Sequence, residues 1–449
     1  MIESNEQTRT KQNWKNSIGL KLLIIGILAL LLLIPADMIR GIILERELLN
    51  EEANREVTGK WANAQTLNGP ILTIPLIYEY ESEDKDGKKI TTTYTKYLNI
   101  LPDKLSIKGN VKPESLNRGI YEIIVYNSNM EISGDFSVHG NVEKKDLKEI
   151  NWDNAFLTFG LSDLRGIHKI SNFKWGNHSL KAKSGVRNNL VQSGITSYLP
   201  DLEPSRGKKV GFSLKLGLIG SKNISFVPLG SETKVEIESD WNTPSFNGNF
   251  LPRDRDVSES GFIAKWNILE LNRNLPKSWM GTQNTDRFLD AAFGVDLILP
   301  LDDYKKSMRT AKYAAMTIAL TFLIFFLVEV LNKKKIHPFQ YALVGFSLCL
   351  FYTLLVSISE HMTFNLAYLI SSLLVICMIA GYSISVFKSR KFTWILTLAL
   401  TTIYGFLFVT LQAVDYALLL GSLGLTIILS LTMYFTRNID WYKIQTEVG

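Results

Sequence analysis

Six stretches of the chain are apolar for long enough to cross a bilayer core of about 30 Å, which takes about 20 helical residues. They lie at 20–37, 313–331, 341–359, 364–387, 392–411 and 416–435. Between the first and the second the pattern changes. The segment ILERELLNEEANREVTGKW at 43–61 continues the first helix beyond its apolar run, and period-two patterns follow. In KVGFSLKLGLIG, Val210, Phe212, Leu214 and Leu216 alternate with small or polar residues, and in TKVEIESDW, Val235 and Ile237 alternate with charge, as half-buried strands do. Asn127-Ser128-Asn129 and Gly220-Ser221-Lys222-Asn223 read as hairpin turns. The expected fold is a membrane protein of six transmembrane α-helices, one N-terminal and five C-terminal, with a large antiparallel β-rich domain inserted after the first. The divisions are 1–37 for a tail and signal anchor, 38–304 for the β-rich domain, 305–435 for the five-helix bundle and 436–449 for a second tail.

Charge adds an orientation. Lys333, Lys334 and Lys335, then Lys388, Arg390 and Lys391, then Arg437 and Lys443 follow alternate spans, on the face that also carries Arg9, Lys11 and Lys15. The opposite hairpins hold only Glu360 with His361 and Gln412 with Asp415. The positive-inside rule therefore places both termini in the cytoplasm. Lys305, Lys306, Arg309 and Lys312 precede the second span on the other side and run against that assignment, but a long domain translocates largely regardless of its charges. A cleaved signal peptide ending near Ala36 is the other reading of the first span; bulky Ile34 and the length of the apolar run favour an uncleaved anchor.

Candidate chemistry is sparse. Glu360 and His361 fall at a hairpin tip, where both are expected to be hydrated, and neither HExxH nor GxSxG occurs. His139, His168 and His178 are not at metal-ligand spacing. Asp163 and Arg165 in SDLRG read as a turn, and PRDRD at 252–256 as a solvated mixed-charge run. Glu329, costly inside a span, is expected to reach Lys333 one turn later. The two cysteines, Cys349 and Cys377, fall within spans and read as buried packing residues, so the β-rich domain has no disulfide. No glycine-rich phosphate loop is present, and a net charge of +6 gathered at membrane edges leaves no nucleic-acid footprint. No enzyme activity, catalytic residue, cofactor or metal site is therefore expected. Two surfaces stand out: Trp241, Pro244 and Phe246 in SDWNTPSFNGNF as a candidate interaction surface, and Lys305, Arg309 and Lys312, at helical spacing, as candidate lipid contacts.

Longer motifs carry a resemblance. QTLNGPILTIP at 65–75, SDWNTPSFNGNFLP at 239–252, GFIAKW at 261–266, HPFQYALVGFSLCLFYTLLVSISEH at 337–361 and TRNIDWY at 436–442 resemble the CreD family of inner-membrane proteins, in order and through nearly the whole chain. The resemblance implies a bacterial inner-membrane location, a periplasmic β-rich domain and a role in cell-envelope integrity or an envelope stress response. It carries over no catalytic residues. Two functions remain open: a binding or scaffold protein whose β-rich domain meets an envelope protein, cell-wall fragment or lipid, or a transporter or channel formed by the C-terminal bundle.

Overall fold

The computed structural model describes residues 18–437 except 84–88, 139–141, 143–144, 188–190, 201, 282–287, 289, 298–302, 332–335 and 414–415. Contacts divide the chain into a membrane unit, Met1–Glu51 with Leu301–Gly449, and a β unit, Glu52–Pro300. The division thus falls within the first helix, past the boundary at 38 read from hydropathy.

The described helices of the membrane unit are α1 (Ile18–Lys60, entering the β unit after Glu51), α2 (Asp303–Lys312), α3 (Ala314–Leu331), α4 (Pro338–Ser359), α5 (Phe364–Phe387), α6 (Arg390–Gln412) and α7 (Ala417–Thr436). Five of them are long and apolar enough to span a bilayer, and α2 with α3 makes a sixth if that pair, bent by 44°, is counted as one span. The expected span at 313–331 is therefore entered through a bend, with a basic helix before it.

Along α1, Ile25, Leu32, Ala36, Ile39 and Ile43 are buried in the bundle core, a spacing that keeps them on one helical face. At Leu32 the partner helix offers Gly345, and a side chain there would strike Leu32. Further in, the Phe351 ring packs on Tyr352, Tyr368 and Tyr404. Leucines point outward from α1, α5 and α7, a surface that water would penalise and lipid tails accept. Cys349 is buried, but Cys377 faces outward, which corrects the expectation that both are buried; both are free thiols.

Proline and a left-handed residue set two helix ends. Pro338 opens α4, where its missing N–H is not needed, and His337 caps it by accepting the Phe339 N–H. Lys388 closes α5 in the left-handed conformation, donating its N–H to the Ile384 carbonyl.

The β unit is a sandwich of a 10-stranded and an 8-stranded sheet, counted among the described residues. The two inner faces share one apolar core. Phe159 of the first sheet meets Phe173 and Phe212 of the second, and Phe293 of the first meets Trp266 of the second. The strand Lys209–Ser221 buries Phe212, Leu214, Leu216 and Leu218, and Glu232–Ser239 buries Val235 and Ile237, as their alternation predicts.

Three expectations need correction. The sheets are mixed: Gln65–Leu67 pairs in parallel with Ile224–Phe226, and Glu232–Ser239 with Lys104–Val111. Asn127-Ser128-Asn129 is no turn but the middle of the strand Tyr121–Ser137, paired on both edges. Two of its polar side chains bond across the sheet, Ser128 donating to the Leu218 carbonyl and Asn127 to Glu114. Gly220–Asn223 is not a hairpin either. The chain leaves one sheet at Ser221, passes Lys222 at φ +62°, and enters the other at Asn223.

Candidate functional site

The membrane unit contains a charge pair at one end of its helices. Lys21, in the first turn of α1, donates to Glu329, in the last turn of α3, and to the Ile336 carbonyl at 2.9 Å. Glu329 also accepts the Ile336 N–H at 2.9 Å and the Tyr341 hydroxyl, from α4, at 2.8 Å. At 6% exposure this carboxylate is shielded, and both of its oxygens are bonded. A buried charge is tolerable only when paired and hydrogen-bonded, and here three segments converge to meet that condition. The expected partner, Lys333, lies outside the described residues, and the contacts of Glu329 run instead to α1 and α4. The arrangement couples the anchor to the bundle.

At the other end two arginines of α1 repeat the device. Arg40 donates to the Ala311 carbonyl at 3.2 Å, one of the last carbonyls of α2, left without a helical donor where the helix ends. Arg46 pairs with Glu360 at 3.2 Å, and the Glu360 side chain is 14% exposed. The expectation of a freely hydrated tip therefore fails for Glu360, which is shielded and paired, while its neighbour His361 is exposed.

In the β unit the charges hold local structure. Asp163 caps a 3₁₀ turn, Leu164–Gly166, accepting from the Arg165 guanidinium, the Arg165 N–H and the Asn63 N–H. The guanidinium bond, with the backbone donors, outweighs burial and brings the carboxyl pKa down to about 2. Burial acts to raise the Asp103 carboxyl, but hydrogen bonds from Lys277 and Ser137 outweigh it and leave it below the usual carboxylate range. On the outer face of the 8-stranded sheet, the register sets Asp254, Lys265, Glu236, Lys108, Glu131 and Lys215 in one row of alternating sign. An open groove of about 240 Å³ lies over the first four of these. Such neighbours satisfy one another.

The sequence-derived candidates fall as follows. Pro244 and Phe246 lie on an edge strand, Pro244–Gly248, rather than a loop. The Phe246 ring packs edge-on against Phe262 and Trp266, and Trp241 donates its indole N–H to the Thr243 carbonyl. All three residues are half-buried. Lys305, Arg309 and Lys312 are exposed on α2. His168 and His178 are exposed and His139 lies outside the described residues. Among the described residues no three His, Cys, Asp or Glu side chains converge as a metal site. Lys21, Arg40, Arg46 and Tyr341 were not singled out by sequence; the available signal was Lys21 and Glu329 themselves, opposite charges each costly inside an apolar run.

A sequence model of the family described as "Inner membrane protein CreD" matches residues 17–442, covering the anchor, the β unit and the bundle together. The chain belongs to the CreD family. It is similar to Inner membrane protein CreD of Escherichia coli (strain K12), with 34% identity over 416 residues, 92% of this chain and 91% of that protein. This CreD-family chain is thus a multi-pass inner-membrane protein, and the charge pairs of α1 belong to the architecture the match spans.

Proposed function

We propose that this CreD-family protein serves cell-envelope integrity as a non-enzymatic scaffold, its β unit meeting an envelope partner in the periplasm while the bundle holds it in the membrane. The carrying observation is α1. It is tied into the bundle by Lys21 with Glu329 and by Arg46 with Glu360, and it runs on unbroken to Lys60, past the point where the β unit begins. An anchor needed only for tethering has no use for ionic contacts to shielded carboxylates of neighbouring helices. Both termini are cytoplasmic in this reading, as the basic short loops indicate. Reporter fusions after Val57 and after Leu331 are then active on opposite sides of the membrane, and activity on one side only contradicts the topology.

Transport by the bundle is the second reading. It draws support from the buried hydroxyls of Ser371, Ser383 and Tyr404, which have no hydrogen-bond partner among the described residues. Complementation separates the two. In a strain lacking its own relative, the whole chain relieves an envelope-stress phenotype, whereas residues 305–449 alone do not. Full rescue by 305–449 overturns the scaffold and favours transport.

A further inference from the structure

Helix α2 is amphipathic across its short length. Ser307, Thr310 and Ala311 are buried, three and four residues apart, while Lys305, Arg309 and Lys312 are exposed on the opposite side at four- and three-residue steps. The helix bends by 44° away from α3, whose eighteen residues, Ala314–Leu331, are uncharged but for Glu329 near its end. The basic stripe therefore stands where the apolar span begins, at the depth of lipid headgroups. On the inner side, Lys306 is accounted for: its ammonium sits 5.4 Å from the centre of the Phe364 ring. Arg309 and Lys312 enter no ion pair or hydrogen bond among the described residues. Of the carboxylates described at this end, Glu360 pairs with Arg46 and Asp37 with Arg40, and none forms an ion pair with Arg309 or Lys312.

Two exposed cations without a partner among the described residues, with Lys305 continuing their line, suit an anion. A headgroup phosphodiester supplies it where the stripe lies: the planar guanidinium grips two phosphate oxygens and the ammonium a third. Seven residues of helix rise about 10 Å, so the stripe is long enough for more than one headgroup. We propose that α2 is a binding site for the phosphodiester headgroups of anionic phospholipids, with Arg309 and Lys312 as its principal ligands.

The test uses the full chain in detergent, titrated with phosphatidylglycerol or phosphatidylcholine, with bound lipid counted by native mass spectrometry. The unaltered protein should retain phosphatidylglycerol in preference to phosphatidylcholine. The double substitution Arg309→Gln with Lys312→Gln should weaken that binding about 25-fold, at about 5-fold per charge near a membrane surface. The charge-keeping pair Arg309→Lys with Lys312→Arg should keep most of it. The pair Lys108→Gln with Lys215→Gln, which removes two cations from the β unit, should leave it unchanged. Equal retention of the two lipids, no loss in the Arg309/Lys312 double variant, or an equal loss in the Lys108/Lys215 control overturns the proposal. So does displacement of phosphatidylglycerol by millimolar inorganic phosphate, which marks a site for free anions.

Discussion

Lys21 and Glu329 stand 308 positions apart in the chain and share a hydrogen bond at one end of the membrane unit. Neither charge is tolerable there alone, so each makes the other's position possible. Replacing Lys21 by Met leaves a shielded carboxylate held only by Tyr341 and the Ile336 N–H. Replacing Glu329 by Leu leaves an ammonium with only the Ile336 carbonyl. Breaking a buried pair from one side costs about 3–5 kcal/mol; Lys21 is 26% exposed, so about 2–3 kcal/mol is expected for either substitution. The double substitution removes both charges and should recover most of the loss. Thermal unfolding of the full chain, followed by helical circular dichroism, reads all three. If the double variant is as unstable as the two losses added, the residues do not act as a pair.

Arg46 and Glu360 make a second, weaker tie. Arg46 is 41% exposed, and half-solvated pairs of this kind contribute about 0.2–1 kcal/mol. Glu360→Gln should lower stability within that range, by less in high salt, while His361→Asn changes nothing measurable. A double-mutant cycle with Arg46→Gln gives the coupling. Zero coupling returns Glu360 to the role of a hydrated tip.

What could be read from the sequence was what local pattern controls. The spans were legible because eighteen apolar residues in a row have few other uses. The strands at 209–221 and 232–239 were legible because alternation forces one face inward. The parallel pairing of Gln65–Leu67 with Ile224–Phe226 leaves no local trace, since it depends on which distant strands meet. Asn127-Ser128-Asn129 looked like a turn because short polar residues favour turns; the partners that hold it in a strand, Leu218 and Glu114, are not its sequence neighbours. The stripe on α2 was visible as a spacing, but the bend that separates it from α3 was not. The charge pair was visible only as two isolated anomalies.

Asp163 gives the β unit an acid limit. Its folded pKa is about 2, below the ordinary carboxylate value near 4, so its contribution to stability is complete above that ordinary value and is lost as pH falls toward about 2. Because Arg165 is about half exposed, solvent screening reduces the contribution to about 1–2 kcal/mol. Denaturant unfolding between about pH 5 and 2 should show this loss in the unaltered chain. Asp163→Asn, which cannot titrate, should be less stable at the upper end and show a smaller fall. Parallel pH profiles for the two proteins would remove Asp163 from the account.

Gly345 tests whether the close seat of the anchor matters to the bundle. A side chain there meets the Leu32 methyl groups and the edge of the Phe322 ring, and the rest of the contact is buried. Leu32 is a flexible neighbour, so Gly345→Ala can be absorbed by a rotamer change, at about 1 kcal/mol. Gly345→Leu cannot, because its branches need the volume that Leu32 fills, and overpacking of this kind costs about 1–3 kcal/mol. If α1 is held by this packing as well as by its charges, the larger substitution should push α1 outward and lengthen the contact between Lys21 and Glu329. Combining Gly345→Leu with Leu32→Ala, which vacates the space, should restore stability toward that of Leu32→Ala alone. Should Gly345→Leu cost nothing, α1 is not seated in the groove that Gly345 opens, and the charges alone hold it.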